Sequence, residues 1–123
     1  MRHLRVNLGF TLMEVLVALL LLTLGMLGVA NLTIGVIKGN SYSKNVTTAT
    51  VVARQQIEEA IRLGYSTAGN LAGTSTISMG GKSFTRTTTV ANATPSANMK
   101  TIAVAVAWNP GNYSVSLNTT LSQ

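Results

Sequence analysis

The sequence predicts an α+β chain, one long N-terminal helix followed by a small four-stranded antiparallel sheet. Three observations carry that reading: residues 15–37 form an apolar block without a single charge, a helical period of three to four residues continues as far as Leu63, and beyond Tyr65 the period drops to two. At 123 residues the chain has room for one small domain and an appendage, which excludes a multidomain enzyme.

Residues 10–37 contain one ionisable side chain, Glu14, and about 20 apolar residues suffice to cross a bilayer. The run Val15-Leu16-Val17-Ala18-Leu19-Leu20-Leu21-Leu22-Thr23-Leu24 is apolar on every face, as a lipid-embedded helix must be. Composition agrees: the chain is 46% hydrophobic and only 10% charged, whereas about 25% charged is usual for soluble domains. Arg2 and Arg5 precede the block, so the positive-inside bias predicts a cytoplasmic N-terminus, with everything after Lys38 delivered across the membrane. Lys38 and Lys44 oppose that bias without reversing it.

Glu14 stands about one helical turn into this segment, where a bare carboxylate costs up to about 2.5–3.5 kcal/mol at the bilayer centre and less near the interface. It needs a partner. Gly9, just before the apolar run, resists helix propagation and leaves an accessible backbone at the membrane boundary. An ordinary secretory signal places a small-residue cleavage site after its apolar stretch, and no clean A-x-A follows this one.

Gly9-Phe10-Thr11-Leu12-Met13-Glu14, after a short basic leader and before a long apolar helix, resembles the processing motif of type IV pilin-like prepilins, the family of type IV pilins and type II secretion pseudopilins. The resemblance implies that residues 1–9 are a leader removed by a membrane aspartyl prepilin peptidase between Gly9 and Phe10, that the same enzyme N-methylates Phe10, and that Glu14 faces the amino terminus of a neighbouring subunit. It also implies residence in the inner membrane with the head outside, then in a pilus or pseudopilus, with an inner-membrane assembly platform, other major and minor pilins or pseudopilins, and the lipid bilayer as partners. Cleavage would remove Arg2 and Arg5, lowering the side-chain charge from +6 to +4. The new ammonium would then lie one turn from a carboxylate, and in low dielectric such charges on adjacent helices attract strongly enough to set an axial stagger.

Within the helix, Gly25, Gly28 and Gly35 permit close helix approach or a local bend. Many major pilins carry a proline about where Asn31 stands here. Residues 38–64 form the second, amphipathic half of the helix: Val46, Thr50, Ala53, Ile57, Ala60 and Ile61 recur at helical spacing, with Gly39-Asn40-Ser41 as a weak spot near the membrane surface. Arg54–Glu58 and Glu58–Arg62 stand at i,i+4 spacing, worth about 0.2–0.5 kcal/mol each. Gly64 is the expected C-cap, so the helix is predicted to run from Phe10 to Leu63.

Residues 65–123 form a β-rich head. Ile77 and Met79, Gly80-Gly81, then Phe84, Thr88 and Val90 predict a hairpin with a two-residue glycine turn. Ile102, Val104, Val106 and Trp108, the turn Asn109-Pro110-Gly111-Asn112, then Tyr113, Val115, Leu117 and Leu121 predict a second hairpin, with Pro and Gly placed as a type II turn requires. Residues 91–100 connect the two, and Trp108 and Tyr113 are expected to pack across the strands. Residues 100–108, 114–119 and 13–19 together are most similar to PilV-type minor pilins, and the N-terminus is also similar to type II secretion minor pseudopilin I. This resemblance implies a pilin lollipop and a role in an initiating or tip complex. Many pilins close a C-terminal loop with a disulfide, which a chain without cysteine cannot do.

Nine Lys and Arg against three acids (Glu14, Glu58 and Glu59) give a net charge of +6, but the basic residues are scattered and outline no clear nucleic-acid site. His3 is the one histidine, Asp and Cys are absent, and Glu58 and Glu59 point to different faces of a helix. No acid–base pair, nucleophile, metal set or cofactor site can be assembled from these residues, which predicts a protein that is not an enzyme. The N-x-S/T triplets at Asn31, Asn45, Asn92, Asn112 and Asn118 are expected by chance in a chain this rich in Thr and Asn.

Overall fold

A computed structural model describes residues 9–108 and 111–123, in the order α1 (Leu12–Thr67), a 3-10 turn η1 (Ala68–Leu71), β1 (Gly73–Met79), β2 (Lys82–Asn92), β3 (Met99–Trp108) and β4 (Tyr113–Ser122). The predicted α+β class and four strands are found. Contacts divide the chain into two compact units, Met1–Asn40 and Ser41–Gln123.

In the first unit the described residues are helical from Leu12, through Gly25, Gly28 and Gly35, and their side chains are exposed on every face. Gly39-Asn40-Ser41 is helical too, and the division between units falls within it.

In the second unit the strands form an antiparallel meander, β1-β2-β3-β4. Alternation sorts the residues between the two faces, as a period of two requires. Phe84 and Thr88 of β2 and Ile102, Val104, Val106 and Trp108 of β3 are buried, while Ala103 and Ala105 of β3 and Thr85, Thr87 and Thr89 of β2 face outward. The register pairs Phe84 with Trp108, Val104 with Leu117 and Val106 with Val115, so large side chains sit side by side on the inner face. Ala49, Val52, Ala53 and Ala60 of α1 and Ala68 of η1 complete one core with them. The helix contributes three alanines and Val52 to this core, and the bulk of it comes from the strands. With no cysteine, this apolar contact holds the unit together.

Several details depart from the sequence expectations. The helix begins at Leu12 rather than Phe10; it breaks at Gly64, the expected C-cap, but a short helical stretch follows the break. Gly64 leaves helical geometry at φ 71°, a left-handed value that glycine adopts without strain, and the helix resumes through Thr67 before η1. The Lys100 ammonium holds the resumed turn, donating to the Tyr65 carbonyl at 2.7 Å and lying 4.4 Å from the centre of the Tyr65 ring. The buried face consists of Ala49, Val52, Ala53, Gln56 and Ala60, and Ile61 is 55% exposed. Spacing alone admitted Ile61, which lies one position round the helix from Ala60 and off the sheet-facing stripe. Arg62 pairs with Glu59, one turn back, instead of Glu58; its Nε donates to Glu59 Oε2 at 2.8 Å, and its second nitrogen meets Oε1. The guanidinium holds the Glu59 carboxyl below its ordinary pKa, and the carboxylate raises that of Arg62. The associated stabilisation is present above the unfolded carboxylate pKa and is lost as pH falls through the lowered folded value, but both groups are open to solvent and it is small. The connection between hairpins is shorter than expected, because β2 runs to Asn92 and β3 starts at Met99.

The turns agree with their sequences where they are described. Gly80 and Gly81 both have positive φ, 58° and 75°, as the two central residues of a type I′ hairpin turn require. In the second turn Gly111 has φ 80°, the value of the third residue of a type II turn, while Asn109 and Pro110 lie outside the described residues. Across that hairpin Trp108 stacks on Tyr113, centroids 5.9 Å apart, and Tyr42 of α1 meets the Tyr113 ring edge-on at 5.2 Å. The expected cross-strand packing of Trp108 and Tyr113 is therefore present, with Tyr42 added from the helix.

The fully buried Ile102 and the exposed Ile61 make a matched pair for testing this core. Ile102→Ala should cost about 2–5 kcal/mol and Ile61→Ala no more than about 0.5 kcal/mol, read by denaturant unfolding of the full chain in detergent with Trp108 fluorescence. Equal losses would contradict the helix register.

Candidate functional site

The start of α1 is built by Thr11. Its hydroxyl oxygen accepts the Glu14 backbone N–H at 3.2 Å, and its carbonyl accepts the Val15 N–H at 3.2 Å, the first bond of the helix. These are the contacts of a helix N-cap, and Thr11-Leu12-Met13-Glu14 reads T-x-x-E, the sequence of a capping box. Glu14 also lies in the first turn, where the helix dipole favours a negative charge. The sequence reading singled out Gly9, Phe10 and Glu14 and missed Thr11, although the T-x-x-E spacing is the signal that would have found it.

Because the cap fixes the helix start, Gly9 and Phe10 lie outside helical structure and are exposed, Phe10 by 83%. A peptide bond outside the helical ladder is available to an enzyme that must bind extended backbone. A Cβ added at Gly9 would meet nothing within 4 Å among the described residues, which impose no steric demand for glycine there. Any requirement for Gly9 must come from whatever reads the segment. Arg2 and Arg5, the expected basic leader residues, lie outside the described residues.

Phe10, Glu14, Val15, Ala18, Leu19 and Leu22 line a shallow apolar groove along one side of the helix. Glu14, Ala18 and Leu22 follow one another at i,i+4, so the carboxylate stands at the head of an apolar stripe on which it is the sole charged group. Farther along, the Thr23 hydroxyl donates to the Leu20 carbonyl at 2.8 Å and that of Thr33 to the Val29 carbonyl at 3.0 Å. The threonines of the apolar segment thus satisfy their polar groups within the helix, as a hydrocarbon environment demands. The helix is long and apolar enough to cross a membrane. Among the described residues no three His, Cys, Asp or Glu side chains gather into a group able to hold a metal ion.

The family described as the prokaryotic N-terminal methylation motif matches residues 4–30. That match supports a type IV pilin-like prepilin. It takes in the Gly9-Phe10 bond, the capped helix start and residues 15–30 of the apolar segment, and it supports processing by a prepilin peptidase and assembly with other pilins. The apolar helix fits a membrane-anchored pilin-like subunit. Neither a curated protein nor a solved structure matches the chain.

Replacing Thr11 by Ala should remove the cap at a cost of about 1 kcal/mol, and Thr11→Ser should retain it. The check is amide hydrogen exchange over residues 12–15 in micelles, which should quicken several-fold in Thr11→Ala alone.

Proposed function

We propose that the chain is a minor subunit of a type IV pilin-like filament, cut by prepilin peptidase between Gly9 and Phe10 and N-methylated on Phe10. The observation that carries this reading is the coincidence of the methylation-motif match with an exposed, non-helical Gly9-Phe10 bond immediately before a capped apolar helix. In this reading residues 1–9 are the leader, residues 10–37 the membrane and assembly segment, residues 38–64 the amphipathic half of the helix and residues 65–123 the head. The N-terminus is cytoplasmic before cleavage, and the head lies outside the inner membrane. The role is structural, not enzymatic.

Cleavage exchanges a basic leader for a single ammonium on Phe10. In the assembled filament the exposed apolar faces of neighbouring helices cover one another, and Glu14, the one charge on that surface, pairs with the Phe10 ammonium of the next subunit. An uncompensated carboxylate buried between helices is strongly disfavoured, so an axial offset that leaves Glu14 unpaired is rejected. Glu14 therefore sets register, while apolar burial supplies the cohesion.

The likeness of residues 13–19, 100–108 and 114–119 to PilV-type minor pilins supports a place in the initiating or tip complex. A type II secretion minor pseudopilin would use the same chemistry with different partners, so co-purification with pseudopilins in place of pilins would identify it. A single-pass anchor carrying a binding head would retain its leader.

Glu14 variants separate register from capping. Glu14→Gln keeps a capping-box residue and loses the charge, whereas Glu14→Ala loses both. Both variants should enter the membrane and be processed, and both should be depleted from sheared filaments. Wild-type incorporation of Glu14→Gln would rule out a charge-based register. Gly9→Leu, at a position where an added Cβ meets none of the described residues, should accumulate as uncleaved precursor in the membrane fraction.

A further inference from the structure

The β1–β2 turn and the Trp108 and Tyr113 end of the β3–β4 hairpin lie at the end where the chain enters the head. The β1–β2 turn brings Lys82 to Ser41, with Nζ 3.4 Å from the Ser41 hydroxyl, and the β3–β4 hairpin brings Trp108 and Tyr113 to Tyr42, ring centroids 6.2 and 5.2 Å away. Tyr42 is 49% exposed and Tyr113 45%; Lys82 is exposed at the β1–β2 turn, and Lys44 is exposed on α1, two residues beyond Tyr42 and on another side of the helix at this same end. The two carboxylates of this unit, Glu58 and Glu59, are roughly 24 Å farther along α1. This end of the head is thus cationic and half-aromatic.

The same end is tethered close to lipid. Lys38-Gly39-Asn40 separates Ile37, the last residue of the apolar segment, from Ser41, so the two Cα atoms are at most about 14 Å apart whatever path the chain takes. The polar layer of a bilayer leaflet is about 5–8 Å deep. Tyr and Trp rings favour this layer because one part of each is apolar and another part hydrogen-bonds, and lysines there meet lipid phosphates. We infer that Tyr42, Tyr113, Lys44 and Lys82 form a docking surface that seats the head on anionic phospholipid headgroups of the membrane that holds its own helix. The inference rests on the reading of residues 10–37 as a membrane span. Seated in this way, the head of an unassembled subunit is held at the bilayer surface, and departure into a filament must break these contacts.

The chain has no cysteine, so single nitroxide labels can be placed at will. Ser114→Cys, on exposed backbone next to Tyr113, reports on the docking end, and Thr120→Cys reports on the other end of β4. The full chain is reconstituted in vesicles of phosphatidylcholine with or without 30% phosphatidylglycerol, and each label's accessibility to an aqueous nickel chelate is measured after flotation. The expected result is co-flotation in both lipids, with the Ser114 label shielded relative to the Thr120 label when phosphatidylglycerol is present. Lys44→Gln with Lys82→Gln should then lower the docked-to-free ratio about fivefold per lysine. Co-flotation with both labels equally accessible would overturn the docking and leave the anchor intact. Failure to co-float would overturn the anchor itself, and the docking with it. Shielding that survives both lysine changes and persists without phosphatidylglycerol would overturn the assignment to anionic headgroups.

Discussion

The rest of the account depends on one constraint: residues 15–37 present apolar side chains on every face of a helix and carry no charge with which to stay in water. None of the described residues of the first unit covers them, and each exposed leucine there costs on the order of 1.5–3 kcal/mol relative to burial. Such a helix must be covered by lipid or by other helices, and a filament subunit passes from the first to the second. Apolar contact does not discriminate between one axial offset and another, so specificity has to come from a polar group. Glu14 is the one ionisable group in residues 10–37, and it stands at the head of the Ala18–Leu22 stripe.

The same few residues solve a second problem. A peptidase needs extended chain, whereas an apolar run of this length favours helix up to its boundary. Thr11 draws the boundary by taking the Glu14 N–H, so the helix begins at Leu12, three residues after Gly9, and the Gly9-Phe10 bond stays outside it. Glu14 therefore has two parts to play, its backbone N–H capped by Thr11 at the helix start and its side chain acting as the proposed register charge. The second unit depends on none of this, because its core of Val52, Phe84, Ile102, Val104, Val106 and Trp108 is closed by the alternation of β2 and β3 and the alanine face of α1.

Much of this was legible in the sequence because the signals were local. Strict alternation from Ile102 to Trp108 specified both a strand and its buried face, and Gly80-Gly81 specified a turn that needs two positive φ values. The helical face was less legible. A helix stripe admits neighbours at its margins, and whether Ile61 or Val52 faces the sheet depends on where the sheet lies. Gly64 does break the long helix, as a C-cap glycine should, but the short turn after it was not legible because it is held by Lys100, a residue 35 positions away from Tyr65 in sequence. At the candidate site Gly9, Phe10 and Glu14 stood out as chemistry in an apolar context. Thr11 did not, because a threonine beside a long apolar run becomes visible only when the four residues are read as a cap.

The central claim is that the Gly9-Phe10 bond is a processing site, and the mass of the N-terminal peptide tests it most directly. The native protein would be taken from membranes and from sheared surface filaments, with and without the prepilin peptidase. The account predicts a peptide beginning at methylated Phe10 in both fractions whenever the peptidase is present, and an intact leader when it is absent. A peptide that retains residues 1–9 in the presence of the peptidase would contradict it.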